Sequence, residues 1–339
     1  PFTLTPGQDN AVREIAADLQ RTEPANRLIQ GDVGSGKTVV ALYAMLMAVA
    51  SNTQAALMAP TELLAEQHFL SIGTLLRGST VRVELLTGAL SKDDREASLG
   101  RIERGEADIV IGTHALLTER VRFRDLAVVI VDEQHRFGVH QRATLREKAD
   151  DPGSTPHTLV MTATPIPRTL ALTIFGDLDV SNIQGLPPGR QPVATRIVGE
   201  SQRDEVYAFV RERLDRGDQA YVVLPAIDDS PPMRSVRSTA AWLEQTHFAG
   251  KCIAILHGQL KRDTREHVME RFRAGLIDAL VATTVIEVGV DVPNATVMVI
   301  EHADRFGLAQ LHQLRGRVGR GERKSVCILI SDATTPAAT

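Results

Sequence analysis

The sequence contains few aromatic residues and almost no cysteine. Phe, Trp and Tyr make up 4% of its 339 residues, with a single Trp, Trp242. The chain therefore has too few aromatic side chains to form a long row on which successive bases could stack. The two cysteines, Cys252 and Cys327, lie far apart in apolar runs, which supports neither a disulfide framework nor a metal motif. We expect both thiols to be reduced and buried.

Long hydrophobic runs and an excess of positive charge are also lacking. No run approaches the ~18 uncharged apolar residues that a membrane span needs, and no basic-then-apolar leader opens the printed sequence. We therefore expect a cytosolic protein with no membrane partner. Its 38 basic residues against 42 acidic ones give a net charge of −4, which argues against a generally basic nucleic-acid binder but allows a localised basic track.

Short apolar strands alternate with helical stretches along the whole chain. This alternation is typical of an α/β fold with a parallel, doubly wound sheet covered by helices on both faces. The predicted strands are 27–30, 55–59, 81–86, 108–111, 127–131, 158–161, 220–224, 252–256, 280–283, 296–300 and 326–330.

A segment rich in proline and glycine, GLPPGRQP, interrupts the alternation at residues 185–192. Such a segment disfavours helix and indicates a linker. We therefore predict a first domain over residues 1–184, a second over 193–332 and a short tail over 333–339. The second domain has no phosphate-loop motif of its own, so we expect it to complete a site on the first.

The segment GDVGSGKT at residues 31–38 fits the spacing G-x-x-x-x-G-K-[ST]. In this motif glycines allow a tight turn, backbone N–H groups surround phosphates, the lysine reaches the β- and γ-phosphates, and the final hydroxyl ligates Mg²⁺. A helix predicted from Val39 to Ala50 directs its N-terminus at the same phosphates. The predicted nucleotide-binding residues are Gly31, Gly34, Ser35, Gly36, Lys37 and Thr38.

Two acids follow an apolar strand in VVIVDEQH, residues 128–135. The carboxyl end of a strand is where open α/β sheets place their ligands. We therefore predict that Asp132 holds Mg²⁺ and that Glu133 orients and deprotonates the water that attacks the γ-phosphate.

A basic segment, QLRGRVGR, occupies residues 313–320. Glycines between its arginines keep the chain slim, so that guanidinium groups can enter a cleft and contact phosphate oxygens. We predict that Arg317 and Arg320 act as arginine fingers, with a plain phosphate-binding patch for nucleic acid as the alternative.

The motifs resemble, in chain order, those of superfamily two helicases. They are GDVGSGKT, APTELLAEQH (59–68), GTHAL (112–116), DEQH, TATP (162–165), ATTVIEVGVDVP (282–293) and QLRGRVGR. More narrowly, DEQHRFGVHQR (132–142), MTATPIPRTLA (161–171), LPPGR (186–190) and FGLAQLHQLRGRVGRG (306–321) resemble the RecG family of bacterial translocases. The resemblance implies two tandem RecA-like domains, each a mostly parallel sheet flanked by helices.

The resemblance also implies roles for individual residues. LTPGQ (4–8) is similar to an adenine-reading element, so Gln8 would bind the base and Phe2 would stack on it, with ATP and Mg²⁺ as cofactors. Gln313 would contact the nucleotide, and Asp291 matches a position that reads the ribose and takes part in coupling. Coupling of hydrolysis to domain movement would also fall to Thr162 and Thr164. The implied contacts to the DNA backbone are Thr61, Thr113, Thr283 and Thr284, although threonines at such positions often only cap strands or helices.

The implied activity is that of an ATP-dependent DNA helicase motor acting on forks and Holliday junctions in recombination and repair. In the full-length protein, a single-stranded-DNA-binding protein would be a partner, in the bacterial cytosol or nucleoid. The family's wedge domain and TRG element do not match any segment of the printed sequence, which suggests a motor fragment. The alternatives are the motor of a transcription-repair coupling factor, an RNA helicase, or a nucleotide-gated binding module without productive unwinding.

Overall fold

The computed structural model describes residues 3–132, 155–162, 178–183, 192–225, 236–283, 292–319, 321 and 323–331. The chain divides into two compact units, Pro1–Pro187 and Pro188–Thr339. In the described parts, each unit contains a sheet in which all pairings are parallel. The predicted α/β architecture is therefore confirmed.

The described part of the first unit holds a seven-stranded sheet in the order β3-β4-β2-β5-β6-β1-β7. Its strands are β1 (Asn26–Gly31), β2 (Gln54–Met58), β3 (Val83–Leu86), β4 (Ile109–Gly112), β5 (Leu126–Asp132), β6 (His157–Thr162) and β7 (Asp179–Ile183). Its helices are α1 (Pro6–Leu19), α2 (Lys37–Ala50), α3 (Glu62–Leu75) and α4 (Lys92–Glu103), with a 3-10 turn at His114–Leu117.

Side chains alternate between the two faces of this sheet, as strand geometry requires. On β2, Ala55 and Leu57 pack into the core that α1, α2 and α3 cover, whereas Ala56 and Met58 pack into a second core with Ile102 of α4. Both faces are therefore buried. This explains why the central strands read as continuous apolar runs.

The described part of the second unit holds a six-stranded sheet in the order β10-β11-β9-β12-β13-β8. Its strands are β8 (Ala194–Val198), β9 (Gln219–Val223), β10 (Ile253–Leu256), β11 (Ala279–Ala282), β12 (Ala295–Ile300) and β13 (Val326–Ile330). Its helices are α5 (Arg203–Asp215), α6 (Val236–Gln245), α7 (Arg262–Arg273) and α8 (Leu308–Arg315), with 3-10 turns at Glu200–Gln202 and Ala303–Arg305.

One β-α-β segment occurs in both units with an unchanged spacing of 170 positions. Asp108 accepts a hydrogen bond from the backbone N–H of Arg82 at 2.7 Å, and Asp278 accepts one from Cys252 at 2.7 Å. Glycines with positive φ end the helix of each copy, Gly105 at 68° and Gly275 at 75°. The two units therefore share this segment without a gap, and Thr113 and Thr283 occupy equivalent positions at the end of its last strand.

A glutamine fixes the same segment in each unit. The Gln54 amide donates to the carbonyl oxygens of Ile102 and Ala107 at 3.0 and 2.8 Å. In the second unit the Gln219 amide donates to those of Phe272 and Ile277 at 2.6 and 2.7 Å. Both side chains are buried, and each joins a carbonyl group in the last turn of the helix to one in the loop that leads to the next strand.

The prediction for the cysteines is half wrong. Cys327 is buried on β13, but Cys252 is exposed. Cys252 directly precedes the edge strand β10, so its side chain lies outside the apolar core although the residues that follow it are hydrophobic.

Candidate functional site

The predicted chemistry of the first unit lies along one edge of its sheet. Because all strands are parallel, their carboxyl ends meet at this edge. Across the adjacent strands β4, β2, β5, β6 and β1, the residues at or just beyond these ends are Thr113, Thr61, Asp132, Thr162 and Gly31. The predicted DNA contacts therefore lie on one side of Asp132, and the phosphate loop lies on the other.

The phosphate loop requires glycine at two of its positions. Gly34 and Gly36 have φ values of 78° and 86°, a left-handed conformation that disfavours other residues. A Cβ atom at Gly36 would lie 2.1 Å from the Gln8 amide nitrogen, and one at Gly31 would lie 2.5 Å from the Ser35 hydroxyl. A larger residue would therefore be strained at Gly36 by the positive φ and would displace the Gln8 amide, and at Gly31 it would displace the Ser35 hydroxyl.

Lys37 and Thr38 lie in the first turn of α2, directly after this loop. The Lys37 ammonium group donates to the carbonyl oxygens of Gly31 and Asp32 at 2.7 and 3.0 Å. Its charge is thus held inside the curve of the loop, where a phosphate group would replace these carbonyl partners. Both side chains are partly exposed, so they are accessible from the sheet edge.

Gln8 connects the first helix of the chain to the phosphate loop. Its amide nitrogen donates to the Ser35 carbonyl oxygen at 2.8 Å, and its carbonyl oxygen accepts from the Thr5 backbone N–H at 3.0 Å. An amide has a second N–H and a second lone pair. The group can therefore keep these bonds while it pairs with a donor and an acceptor on a base.

A buried polar network fixes α1 against the sheet. The Arg27 guanidinium group of β1 bonds to Asp18 and, at 3.2 Å, to Glu14, both on α1, and at 2.9 Å to the Ser181 hydroxyl of β7. Arg27 and Asp18 are buried. Because a charge-assisted network of this kind tolerates little rotation, it fixes the position of the helix that carries Gln8.

Asp132 has a partner that the sequence did not reveal. Its Oδ2 atom lies 2.7 Å from Nε2 of His68, and both side chains are buried. His68 lies in APTELLAEQH, where only Thr61 was assigned a role, and it is 64 residues from Asp132 along the chain. No spacing rule links the two, so only the fold, in which α3 packs on the sheet that carries β5, could bring them together.

The threonines predicted to contact DNA also have structural roles. Thr61 is the N-cap of α3 and accepts from the Leu64 N–H at 3.3 Å, whereas Thr113 caps the following 3-10 turn and accepts from the Ala115 N–H at 3.5 Å. Thr113 and Thr283 are buried. A hydroxyl that accepts a hydrogen bond can still donate one, so their roles in DNA binding stay predictions.

In the second unit, α8 carries Gln313, and Arg317 is the second residue after the end of this helix. The Arg317 backbone N–H donates to the Leu314 carbonyl oxygen at 3.0 Å, which continues the last helical turn. Gly319 has a positive φ of 79°, so the chain turns sharply there. The side chains of Gln313 and Arg317 are partly exposed.

A buried ion pair lies at the end of β12, the strand that precedes α8. Glu301, at the end of β12, accepts from the Arg203 guanidinium group at 2.8 Å and from the Tyr207 hydroxyl at 2.5 Å. The Arg203 guanidinium carbon lies 4.3 Å from the ring centre of Trp242. Trp242 therefore packs against Arg203 of α5.

Several predicted site residues lie outside the described residues. They are Phe2, Glu133, Thr164, Thr284, Asp291 and Arg320. The structure does describe Gln8, Thr162 and the whole phosphate loop. Among the described residues, no helix is both long and apolar enough to cross a membrane.

Two helicase family models match the chain. The model of the DEAD/DEAH box helicases covers residues 5–173, and that of the helicase conserved C-terminal domain covers residues 203–322. Both match in the chain order that the motifs predict. The chain therefore belongs to the DEAD/DEAH box helicases of superfamily two.

Within that class, the chain is similar to the ATP-dependent DNA helicases RecG. RecG of Streptococcus pneumoniae serotype 4 is 50% identical over 338 residues, which cover 99% of this chain and 49% of that protein. RecG of Aquifex aeolicus is 50% identical over 332 residues, which cover 97% and 41%. The resemblance to the RecG family is thereby confirmed.

A solved structure gives the same result for the fold. The structure of RecG bound to a three-way DNA junction matches with a TM-score of 0.82 and 44% identity, over 100% of this chain and 44% of that one. The predicted pair of RecA-like domains is confirmed. This chain spans about half the length of the curated relatives that it matches.

Proposed function

We propose that this chain is the motor of an ATP-dependent helicase that acts on branched DNA, such as forks and Holliday junctions, in recombination and repair. The observation that carries the proposal is the order of groups along one sheet edge. Two predicted backbone-contacting threonines and a buried acid lie at or just beyond the ends of the adjacent strands β4, β2 and β5, and the phosphate loop follows β1, which lies beyond β6. ATP chemistry and a nucleic-acid track can therefore lie side by side on one rigid support.

The nucleotide is bound by the phosphate loop, the N-terminus of α2 and the side chains of Lys37 and Gln8. Backbone N–H groups of the loop and the N-terminus of α2 bind the phosphates, while Lys37 exchanges its carbonyl partners for phosphate oxygens. Gln8 pairs with the adenine edge through the N–H and the lone pair that its present bonds leave available.

The residues present also fit Mg²⁺. Thr38 and Asp132 supply a hydroxyl and a carboxylate oxygen, which are the ligand types that this ion prefers. When bound, Mg²⁺ would supply positive charge that offsets the charge developing on the phosphate oxygens. Asp132 lies on β5, two strands from β1, which carries the phosphate loop, so both groups project from the same edge.

Hydrolysis and its coupling rest on residues assigned from sequence. Glu133 orients and deprotonates the attacking water, and Arg317 and Arg320 stabilise charge on the γ-phosphate in the transition state. Gln313 contributes to nucleotide contact. Thr162, Thr164 and Asp291 connect hydrolysis to movement.

Contacts to DNA are expected to be independent of sequence. Hydroxyl groups and backbone N–H groups that bind phosphates do not read bases. The equivalent positions of Thr113 and Thr283 in the repeated segment support one backbone contact from each unit. The location is the bacterial cytosol or nucleoid, and a single-stranded-DNA-binding protein is a partner of the full-length protein.

A comparison of nucleic acids tests the proposal. ATP hydrolysis is measured without nucleic acid, with duplex DNA, with a model fork and with RNA, and Lys37→Ala serves as the inactive control. We expect the fork to stimulate most and the stimulation to fall steeply with salt, because binding along the phosphate backbone displaces condensed counterions. Nucleotide binding without hydrolysis under any condition would instead indicate a nucleotide-gated binding module, whereas stimulation by RNA alone would indicate an RNA helicase.

A further inference from the structure

His68 and Asp132 form a contact that the proposed chemistry does not yet use. Nε2 of His68 lies 2.7 Å from Oδ2 of Asp132, and each residue is 9% exposed. An ionised carboxylate can only accept hydrogen bonds. In the tautomer that suits a carboxylate partner, Nε2–H donates a hydrogen bond to Oδ2.

His68 lies on the apolar face of α3. Ala65 and Ile72, which are three residues before and four after it, are both buried in the core of the first unit. A polar ring on such a face costs free energy unless it is hydrogen-bonded. A leucine at this position would pack in the core without needing a hydrogen-bond partner. The presence of a histidine is therefore explained by its hydrogen bond to Asp132 and not by packing.

The contact fixes a group that otherwise rotates easily. The last torsion of an aspartate side chain has broad minima, so Oδ1 would sample many directions if Oδ2 were not held. A hydrogen bond from a buried ring sets the carboxylate plane. Partners of this kind orient metal-ligating carboxylates in proteins, and their loss costs about 10–100-fold in metal affinity or activity.

We propose that His68 is a positioning residue, which holds the Asp132 carboxylate in the orientation that binds the divalent cation of the nucleotide complex. This inference rests on the proposed function, in which Asp132 is a cation ligand. The alternative is that His68 is an ordinary core histidine whose only effect is on the stability of α3.

The test measures cation-dependent nucleotide binding without turnover. The affinity for a fluorescent non-hydrolysable ATP analogue is determined in EDTA and across a Mg²⁺ titration, and Mn²⁺ binding is followed by electron paramagnetic resonance. The variants are His68→Leu, which removes the donor, and His68→Gln, which restores an N–H donor. Ile72→Val on the same buried face and His114→Gln at an exposed position are the controls.

We expect His68→Leu to raise the half-saturating Mg²⁺ concentration by roughly 10–100-fold and to leave nucleotide affinity in EDTA unchanged. His68→Gln should recover part of the shift, and both controls should match the wild type. In an Asp132→Asn background, His68→Leu should add no further shift, because its effect acts through that carboxylate. If His68→Leu does not fold, His68→Gln still provides the comparison with the controls.

Two results would overturn the inference. A half-saturating Mg²⁺ concentration within twofold of wild type in both His68 variants would make His68 a core residue only. A shift of equal size in Ile72→Val would assign the effect to packing of α3. If nucleotide binding by the wild type is itself independent of Mg²⁺, the proposed function fails together with this inference, and that outcome is distinct from the other two.

Discussion

Gln8 donates a hydrogen bond from its side chain to the Ser35 carbonyl oxygen at 2.8 Å, which joins the start of α1 to the middle of the phosphate loop. The group assigned to base reading and the group assigned to phosphate binding are thus in direct contact. A change in how the base is held would therefore be transmitted to the loop through one side chain.

Replacing Gln8 by alanine should weaken ATP binding and reduce the preference for ATP over GTP. A net hydrogen bond contributes about 0.5–1.5 kcal/mol, so the loss of the base contact should cost up to roughly tenfold in affinity. The measurement is competition of ATP and GTP against a fluorescent nucleotide. Thr5→Ala is the matched control, since Thr5 forms the other half of the same capping box. Equal loss of nucleotide preference in both variants would assign the effect to the cap.

Binding and chemistry should separate in two variants of the first unit. Lys37→Ala removes the ammonium group that the loop holds inside its curve, so it should abolish nucleotide binding and turnover together. Glu133→Gln keeps the phosphate contacts but loses the base, so it should bind ATP without hydrolysing it. Equilibrium nucleotide binding and steady-state hydrolysis are measured on both proteins. Wild-type turnover by Glu133→Gln would contradict the role assigned to that acid.

Arg317→Ala should lower turnover with little change in nucleotide affinity. An arginine finger stabilises charge that develops only in the transition state, and its contribution elsewhere is about 10³–10⁵ in rate. Arg315→Ala, two residues away in the same basic segment, is the control. If Arg317→Ala reduced only DNA affinity and left hydrolysis without DNA unchanged, the segment would instead be a phosphate-binding patch for nucleic acid.

The central strands were predictable from sequence because both of their faces are buried. Ala55–Met58 and Val128–Val131 have no polar alternation, so they read as apolar runs. The strands β7 and β8 were missed. Both lie at sheet edges and bury few side chains, and the four residues of Ala194–Ile197 are all exposed. An edge strand needs no continuous apolar run, so it leaves no comparable signal.

The nucleotide motifs were equally predictable, since each is local in the chain and its chemistry fixes its spacing. The residues that contact these motifs in the folded chain were not predictable from sequence. The contact of His68 with Asp132 and that of Gln8 with Ser35 join residues 64 and 27 positions apart. Such pairs depend on strand order, which the pattern of one sequence does not give.

Cysteine labelling should distinguish the two thiols. Burial on β13 raises the pKa of the Cys327 thiol to about 12, so this group has almost no reactive thiolate at pH 8. Cys252 is exposed and should react. We expect one equivalent of maleimide to be incorporated by the folded protein and two in denaturant. Cys252→Ser is the control and should leave no rapid reaction, whereas fast labelling in that variant would contradict the burial of Cys327.

Acidification should destabilise the contact between β1 and β6 because it protonates His157. This residue begins β6 and bonds to Ala25, the residue before β1. Nδ1 of this residue accepts a hydrogen bond from the Ala25 backbone N–H at 3.1 Å. Burial, which disfavours the charged ring, lowers the pKa of His157, although Asp18 acts in the opposite direction. The unfolded chain therefore binds the proton more readily than the folded one.

The stabilisation from neutral His157 is complete above the unfolded pKa of ~6.5 and is lost as the pH falls through the lower folded value. We expect the free energy of unfolding, measured with urea and circular dichroism, to decrease between pH 7.5 and 5.5. His157→Asn keeps an oxygen that can accept the Ala25 N–H but cannot be protonated, so the decrease should be smaller in this variant. An identical decrease in both proteins would show that other groups cause the pH dependence, because the substitution removes only this titration while residue 157 on β6 still offers an acceptor to the Ala25 N–H.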